Sequence, residues 1–539
     1  MIRVALAYPN VYSVGMTNLG FQAVYYILNQ CEGVVCERVF LSGLVPKNLS
    51  SFDIIAFSIS FENDYPNLLT ILDNSNIPFL SKDRNKSHPL ILAGGVTTFL
   101  NPEPISPFID VFLLGEAEVV LPEFLEVFNV KDERKLLLKS LAQNVDGIYV
   151  PSFYDVCYND HGTVTSFSPF KDVKKIVKRV YLKEISNTPT QTKIVDSDTI
   201  FNDTFLVEVA RGCSHNCRFC AAGYVYRPPR FRSFESISKS MEEGASLSTS
   251  IGLVGAAVSD LPDIDKLCEP FYQKGIRIAF SSLRADSIRC NIINMLKKSG
   301  AKTVTIAPDA GSERMRRVIN KGITEDNILE AVDVLVINNI LNLKLYFMIG
   351  LPTETIDDID DIVKLCKSIK YRFLSASKTK GRIGEITVNI NSFVPKPFTP
   401  FQWAAMDNIK ILKQKANRIK EGLKKIANIR IHLDIPRWAY VQALFSRGDR
   451  RVSDILVLSH KNNGNWPKTF KETSLNSDFY VLRERDVKEI LPWDFIDNGI
   501  NKSFLINEWQ KAISEKTSPK CPMSSSCNIC GVCNDNKER

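Results

Sequence analysis

The stretch Phe205-Leu-Val-Glu-Val-Ala-Arg-Gly-Cys213-Ser-His-Asn-Cys217-Arg-Phe-Cys220 determines how the centre of this 539-residue chain is interpreted. It joins an apolar run, which predicts a buried strand, to a loop with three cysteines within eight positions. Three thiolates suit an iron–sulfur cubane with one open iron, whereas a structural zinc ion takes four ligands. A zinc site completed by His215 or His432 is the alternative interpretation of the same cysteines.

Apolar runs and helical patterns alternate on both sides of this loop, from about residue 200 to 400. Repeated β/α units of this kind predict a partial (β/α)6 TIM-type barrel over residues 199–405, with its chemistry at the C-terminal ends of the strands. The six predicted strands are Phe205 to Val209, Ser250 to Val254, Ile276 to Ser281, Lys302 to Ile306, Leu343 to Ile349 and Ile386 to Ser392.

The first 125 residues show the same alternation and predict a Rossmann-like, doubly wound α/β sheet. Ligands of such sheets bind outside the carboxyl ends of the strands, so the loops after the strands are the informative ones. The predicted strands are Arg3 to Ala7, Cys36 to Leu41, Asp53 to Ser58, Leu90 to Ala93 and Val111 to Leu114, and the predicted helices are Asn18 to Asn29 and Tyr65 to Asp73.

The remaining chain divides into three segments by composition. Residues 126–198 form short β-like runs and turns and are predicted to be a connecting subdomain. Residues 406–515 predict a mixed, helical C-terminal region that begins with a basic helix over 407–428, and residues 516–539 form a cysteine-rich tail. The overall prediction is therefore an α/β protein with five segments.

Composition narrows the class of protein. The hydrophobic share is 44% and no uncharged apolar stretch reaches about 18 residues, so we expect a folded cytoplasmic protein without a membrane segment. Thirteen cysteines, seven of them in two tight groups, favour metal or cluster ligation in a reducing compartment over disulfides. The net charge of +8 permits an RNA or ribosomal partner without requiring one.

The second group of cysteines lies in the tail and supplies four thiolates, which close a site. An auxiliary [4Fe-4S] cluster and a structural zinc ion both fit four cysteines, and the two CxxC steps that share one cysteine favour the iron–sulfur interpretation. The four residues are Cys521, Cys527, Cys530 and Cys533.

The CxxxCxxC spacing, with an aromatic residue before its last cysteine, resembles the signature of the radical S-adenosylmethionine (SAM) superfamily. The resemblance implies that Cys213, Cys217 and Cys220 hold a [4Fe-4S] cluster and that Phe219 packs near the adenine of SAM. In that superfamily SAM binds the open iron, and one electron cleaves it to a 5′-deoxyadenosyl radical.

Segments after the later strands resemble the SAM-binding segments of the same superfamily. Asp309 stands where relatives usually have a glutamate, and the Gly-Gly-Glu motif after the second strand is missing, so that Ser259 or Asp260 is expected to contact the amino group of SAM instead. The SAM-binding residues that the resemblance implies are Phe219, Ser259, Asp260, Ser282, Arg284, Asp309, Arg314, Asn320 and Lys321.

The N-terminal run Ala7 to Gly20 and two later glycine-containing turns resemble the cobalamin-binding domain that precedes many radical SAM cores. The Asp-x-His-x-x-Gly turn that supplies an axial ligand is absent, since the only histidine of residues 1–125 is His88. The alternative is a domain of this fold that has lost the cofactor and serves for docking. The implied cobalamin-binding residues are Gly15, Asn18, Gly94, Gly95, Gly115 and Glu116.

With Arg447-Gly-Asp-Arg-Arg451 and the terminal Cys530-Gly-Val-Cys533, these features resemble one group of B12-binding-domain radical SAM proteins. The resemblance implies reductive cleavage of SAM for an unidentified substrate, with methyl transfer to carbon if cobalamin is bound. It also implies a reductase or flavodoxin-type electron donor and a separate protein that carries a domain of unknown function. The alternative is a non-catalytic iron–sulfur or zinc-stabilised protein that binds RNA or the ribosome through the helix around Lys410 to Lys425.

Overall fold

The structure, a computed structural model, describes residues 1–42, 48–280, 283–377, 384–524 and 526–533. The chain forms two compact units and passes between them more than once. The first unit comprises Met1–Glu184, Thr192–Asn202 and Val441–Gly499, and the second comprises Ile185–Gln191, Asp203–Tyr440 and Ile500–Arg539. Across the described ranges, no helix is both long and apolar enough to cross a membrane.

The strands and helices are numbered in chain order. The strands are β1 (Ile2–Tyr8), β2 (Val34–Phe40), β3 (Ile54–Ser58), β4 (Leu90–Gly94), β5 (Val111–Leu113), β6 (Ile148–Tyr149), β7 (Tyr154–Tyr158), β8 (Val164–Pro169), β9 (Val177–Lys178), β10 (Phe205–Glu208), β11 (Ala210–Arg211), β12 (Arg230–Phe231), β13 (Ser250–Val254), β14 (Arg277–Phe280), β15 (Thr303–Asp309), β16 (Asn342–Ile349), β17 (Ile386–Ser392), β18 (Ile429–Leu433) and β19 (Ile496–Asp497). The helices are α1 (Tyr12–Gly15), α2 (Leu19–Gln30), α3 (Tyr65–Asn74), α4 (Val96–Leu100), α5 (Ala117–Val127), α6 (Arg134–Asn144), α7 (Phe234–Leu247), α8 (Ile264–Gln273), α9 (Cys290–Lys298), α10 (Glu313–Val318), α11 (Glu325–Ile337), α12 (Ile356–Ser377), α13 (Ile409–Leu423), α14 (Pro436–Arg447), α15 (Ser453–Lys461), α16 (Trp466–Glu472), α17 (Ser477–Val481) and α18 (Lys502–Ile513).

The first unit is built on a six-stranded sheet in the order β2-β1-β3-β4-β5-β6. The first five strands run parallel and β6 runs antiparallel to β5. Strands β3 and β4 read Ile-Ile-Ala-Phe-Ser and Leu-Ile-Leu-Ala-Gly and are almost wholly buried, as parallel strands covered on both faces require. The predicted mixed α/β class is confirmed.

Residues 441–499 belong to the first unit, although the sequence groups them with a separate C-terminal region. Arg450 holds them there, because its guanidinium pairs with the buried carboxylate of Glu103 at 2.9 Å and donates to the backbone oxygen of Tyr154. The hydroxyl of Tyr149 donates to the same carboxylate. Through Arg450, the Arg447–Arg451 motif therefore has a structural role in this unit.

The second unit contains two parallel sheets, β10-β13-β14 and β15-β16-β17-β18, and a parallel bridge between Leu283 and Ile306 links the end of one to the other. All six predicted strands lie in these sheets, although Ser281 falls outside the described residues. Strand β18 is a seventh parallel strand where the sequence predicts only helical or mixed structure. Its five residues alternate apolar and polar side chains, and so short a pattern is a weak signal.

Because all seven strands are parallel, the loops that leave their carboxyl ends lie at one edge of the sheets. The cysteine loop follows β10 and β11, the Ser259 region follows β13, Arg284 follows β14 and Asp309 ends β15. The topology thus brings residues from separate parts of the sequence to one edge.

Asp64, in the first unit, is a buried carboxyl group whose ionisation affects the stability of the fold. It is 5% exposed and accepts a hydrogen bond from Asn10 at 2.8 Å. Burial, reinforced by the charge of Glu62, outweighs that bond and raises the pKa of Asp64 to about 6. A carboxyl whose pKa is higher in the folded than in the unfolded state loses folding stability as the pH rises through that interval, here from about 4 to about 6.

We therefore expect Asp64→Asn to stabilise the protein above pH 7 by roughly 2 kcal/mol, since the amide cannot ionise and can still accept the bond from Asn10. The gain should shrink as the pH falls through this interval and be near zero below about pH 3.5. Thermal midpoints of the metal-free protein, measured by calorimetry across this pH range, check the prediction. Asp160→Asn removes an exposed carboxylate as the control, and an Asp64→Asn gain that does not depend on pH would contradict the prediction.

Candidate functional site

The loop that carries Cys213, Cys217 and Cys220 is closed at its base by the antiparallel pair β11 and β12. Gly212 enters it with a φ of +80°, where a Cβ atom would stand 2.7 Å from the backbone oxygen of Tyr226, so that only glycine fits this turn. Inside the loop the amide of Cys220 donates to the oxygen of Cys217 at 3.1 Å. The backbone therefore folds back on itself and gathers the three cysteines.

The three thiols share one region of the second unit. None of them forms a disulfide, and Cys217 is buried while Cys213 and Cys220 are half-buried. Burial raises the pKa of all three, and the charges of Cys217 and Cys220 help to raise the pKa of Cys213 to about 12. Three thiols this close and this buried need a cationic group, a metal or a cluster before they can ionise.

Two cations act electrostatically on Cys217. Burial raises the pKa of this thiol, and the charges of Lys321 and Arg284 oppose that rise. The Lys321 ammonium pairs with Asp309 at 2.5 Å, and Arg284 holds Asp286 through two nitrogens and donates to the backbone oxygen of Lys321 at 3.0 Å. The cations are thus fixed in place beside the sulfur atoms.

Asp309 and Asn320 both adopt left-handed backbone, with φ values of +62° and +52°. Asp and Asn enter this region far more readily than a longer side chain such as glutamate. The left-handed backbone at position 309 therefore explains why an aspartate stands there, where the radical SAM resemblance leads us to expect a glutamate. Its shorter carboxylate is engaged by Lys321.

Ser259 and Asp260 follow β13 and differ in what they offer. Asp260 shares a hydrogen bond of 2.7 Å with the His215 ring. Burial alone would raise the pKa of Asp260, but this bond, the charge of His215 and the nearby Lys520 and Arg284 lower it below its usual value. The Ser259 hydroxyl is buried and has no hydrogen-bond partner in the part of the chain that the structure describes, which leaves it available to a ligand.

The zinc alternative gains no geometric support. His215 is engaged with Asp260, and His432 lies on β18. Within the described ranges, no three Cys, His, Asp or Glu side chains are grouped closely enough to hold a single metal ion. In a cubane each cysteine binds its own iron, so the sulfurs lie further apart than the ligands of one zinc ion. The thiols, their buried setting and the neighbouring cations fit an anionic iron–sulfur cluster.

The other predicted SAM-binding residues are less closely grouped. Arg314 pairs with Asp358 and, at 3.0 Å, with Glu515. Burial alone would raise the pKa of Asp358, but hydrogen bonds from Arg314 and Ser312 help to lower it to about 2. Arg314 therefore acts as a structural brace. Phe219 is half-buried in the cysteine loop, and Ser282 lies outside the described residues.

The residue that anchors the cysteine loop, Arg218, is not among the predicted site residues. Its side chain is wholly buried and donates to the Glu508 carboxylate at 3.1 and 3.2 Å. It also donates to the backbone oxygens of Arg317, Val318 and Lys516 at 2.8–3.0 Å. A charged residue between two predicted ligands is the signal that could have identified it.

The tail cysteines also lie together. Burial raises the pKa of Cys533, and the charges of Cys530, Cys521 and Cys527 raise it further. Cys530 is buried and the other three are half-buried. Three of the four line a cleft of about 520 Å³ together with residues of α18 and with Asn216 from the core cysteine loop.

Packing within the first unit explains three of the four glycines predicted to approach cobalamin. A Cβ at Gly15 would stand 2.5 Å from the Phe40 ring, one at Gly95 2.3 Å from the oxygen of Ile59, and one at Gly115 2.2 Å from the oxygen of Val180. At Gly94 the nearest atom is the Cβ of Leu113, at 3.9 Å, so that packing does not explain this glycine. The other three give no geometric argument for a corrin.

The remaining two residues of that set also have internal partners. Asn18 accepts the amide of Phe21 to cap α2 and donates to Ser60 at 3.1 Å. Glu116 is buried and accepts the amide of Leu182 at 3.0 Å. Asn18 and Glu116 therefore stabilise the first unit itself. Neither residue makes a contact that requires cobalamin as its explanation.

Two solved structures resemble the chain at TM-scores below 0.5, which is too low to support an argument. One is the cobalamin-dependent SAM radical enzyme OxsB with aqua-cobalamin and SAM bound, with 15% identity, coverage of 96% of this chain and 79% of that one, and a TM-score of 0.47. The other is the radical SAM methyltransferase TsrM from Kitasatospora setae with cobalamin and a [4Fe-4S] cluster bound, with 12% identity, coverage of 77% and 78%, and a TM-score of 0.46.

Sequence comparisons are more informative. An uncharacterized protein of Methanocaldococcus jannaschii, MJ0966, is 31% identical over 90% of this chain and 97% of its own length. The ribosomal protein uS12 methylthiotransferase RimO of Clostridioides difficile is 24% identical over 36% of this chain and 49% of its own length. Residues 45–151 match the family model of radical SAM proteins, N-terminal, and residues 207–366 match that of the radical SAM superfamily. The second match contains the three gathered cysteines and their cations, and the chain therefore belongs to the radical SAM superfamily.

Proposed function

We propose that this protein cleaves SAM reductively to methionine and a 5′-deoxyadenosyl radical, with Cys213, Cys217 and Cys220 as ligands of a [4Fe-4S] cluster. The observation that carries the proposal is the folding of one short loop around these thiols after parallel strand β10, with Lys321 and Arg284 near enough to oppose the rise in the pKa of Cys217. When bound, such a cluster supplies an open iron for SAM and the single electron that breaks its sulfur–carbon bond.

The chain's own residues supply charge compensation and orientation. Lys321 and Arg284 favour ionised cysteines, and Asp309 and Asp286 hold those two cations in position. Fixed cations in a buried site stabilise an anionic group more than they would in water, because the dielectric is lower. The site would thus be organised before the cluster and SAM bind.

Ser259 is the residue we propose for the amino group of SAM. Its buried hydroxyl has no hydrogen-bond partner among the described residues, and a buried polar group without a partner is destabilising until a ligand satisfies it. It lies next to Asp260, whose lowered pKa keeps a negative charge nearby. Together they would take the part that Gly-Gly-Glu plays in relatives.

Cobalamin-dependent methyl transfer to carbon is a finer prediction, and it rests on sequence resemblance alone. Five of the six residues behind it, all but Gly94, have internal structural roles. Cobalt analysis of anaerobically purified protein decides the matter: about one cobalt per chain would add the cofactor to the proposal, and cobalt at background level would remove it.

The RNA- or ribosome-binding alternative relies on the basic helix α13. Part of its charge is already used within the second unit, since Lys415 pairs with Glu354 and Asp407 and Arg418 pairs with Asp360. Paired cations contribute little to phosphate binding. The helix is therefore better explained as a packed element of this unit.

Alanine at Cys213, Cys217 or Cys220 should abolish the formation of 5′-deoxyadenosine with dithionite and SAM and remove roughly four irons per chain. Anaerobic reconstitution, iron and sulfide assays and chromatography of the products measure this. Cys290→Ser, which changes an exposed cysteine of the same unit, is the control and should retain both. If wild-type protein with its full iron content forms no 5′-deoxyadenosine, the proposed function is wrong.

Ser259→Ala should raise the KM for SAM about tenfold, because one hydrogen bond to a charged ligand group is lost, and should change kcat little. Steady-state formation of 5′-deoxyadenosine at varied SAM concentrations gives both constants. Ser246→Ala alters an exposed serine that bonds only the backbone of its own helix and serves as the control. An unchanged KM would exclude Ser259 as a SAM contact.

Arg218→Met should destabilise the protein by about 3 kcal/mol, because one oxygen of the buried Glu508 carboxylate and three backbone oxygens lose their donor, while Lys511 still pairs with the other carboxylate oxygen. Adding Glu508→Leu should restore part of this loss, since the half-satisfied buried carboxylate is then removed. Anaerobic denaturant unfolding, read together with iron retention, measures both effects. Arg317→Met removes a half-exposed arginine 3.8 Å from Glu515 as the control, and equal losses for Arg218→Met and Arg317→Met would refute the anchoring role of Arg218.

A further inference from the structure

The two cysteine groups, 300 residues apart in sequence, are joined by a direct backbone hydrogen bond. The amide of Cys521, the first tail cysteine, donates to the oxygen of Ser214 at 2.8 Å, and Ser214 directly follows Cys213. One hydrogen bond and one intervening residue thus separate a ligand of each group, so that their Cα atoms lie at most about 11 Å apart.

Further bonds run between the same two segments. The Asn216 side chain donates to the oxygen of Pro519 at 2.6 Å, and the Arg218 side chain donates to that of Lys516. Asn320 bridges the two, because it donates to the oxygen of Asn216 and accepts the amide of Ser518 at 2.8 Å. Residues 516–521 are therefore held against the core cysteine loop along their length.

The two groups differ in their access to solvent. Each group has one buried cysteine, Cys217 in the core and Cys530 in the tail, and the others are half-buried. Cys521, Cys527 and Cys530 line the open cleft of about 520 Å³, whereas none of the core cysteines lines it. Around the tail, Lys516 and Lys520 are exposed, as are the apolar side chains of Met523 and Ile529. A soluble protein with an acidic, partly apolar docking face can approach the tail group more closely than the core group.

We propose that the tail cysteines hold a second [4Fe-4S] cluster and that electrons enter the protein through it and pass along the 516–521 connection to the core site. The proposal rests on the proposed function. One electron leaves a reduced flavodoxin- or ferredoxin-type protein, which is oxidised by one electron. It reduces the tail site, moves to the core site and cleaves one SAM to methionine and the 5′-deoxyadenosyl radical, so that one donor molecule is oxidised for each SAM cleaved.

The first measurement uses the wild-type protein. Anaerobically reconstituted chains should contain roughly eight irons, four for each cluster. After rapid mixing with one equivalent of reduced flavodoxin, freeze-quenched samples should show a reduced-cluster paramagnetic signal that SAM does not alter. This signal should then decay as a second signal grows, and SAM should alter the second because it binds only the core site.

Two wild-type outcomes overturn the inference. One is iron for a single cluster, with zinc at the tail. The other is direct appearance of the SAM-sensitive signal without a preceding insensitive one. Neither outcome affects the proposed function, which depends on 5′-deoxyadenosine formed with dithionite and would hold in both cases.

The second measurement compares reductants in Cys527→Ser. This variant should lose the SAM-insensitive signal, and its flavodoxin-driven reduction of the core site should slow at least tenfold more than its dithionite-driven reduction, because the small dithionite ion does not depend on docking. Cys290→Ser is the matched control. Cys533→Ser, at the end of the described tail, replaces Cys527→Ser if that chain does not retain the core cluster. Equal slowing with both reductants would refute the entry role.

Discussion

The buried ion pair of Arg218 and Glu508 is the interaction on which the cysteine site depends. Removing two charges from water costs several kcal/mol each, and the pair is stable only because further hydrogen bonds satisfy the guanidinium. Burial lowers the pKa of Arg218, and the Glu508 carboxylate opposes that shift. Because Arg218 lies between two cysteines, the position of the loop cannot change without breaking this network.

The same geometry explains how three thiols can occupy one buried region. Mutual repulsion and desolvation both oppose their ionisation, and only fixed positive charge offsets them. Lys321 and Arg284 provide that charge, and each is held by a carboxylate that keeps it from turning away. Arg284 follows β14, and Lys321 follows β15 and the short helix α10, so that the parallel topology and the electrostatics of the site depend on each other.

The sequence predicts those features of the fold and the site whose causes lie within a short stretch of the chain. It does not predict features that depend on contacts between distant stretches. The strands from β1 to β5, β10 and the strands from β13 to β17 follow from apolar runs, and the three core cysteines from their spacing, whereas the two-residue strands β11 and β12 have no such signal. The roles of Arg218, Asn216 and Glu508 depend on partners about 100 to 300 residues away, which no local pattern contains. Likewise, segments 126–198 and 406–515 are continuous in sequence, while the contacts divide each of them between the two units.

Glycine is the clearest case of a signal that the sequence leaves ambiguous. Gly95 and Gly115 indicate that something approaches the backbone closely, and a ligand or another part of the chain produces the same requirement. The atoms that approach are the backbone oxygens of Ile59 and Val180. A glycine-rich turn at a strand end therefore supports a cofactor only when the space beside its Cα is free of protein atoms.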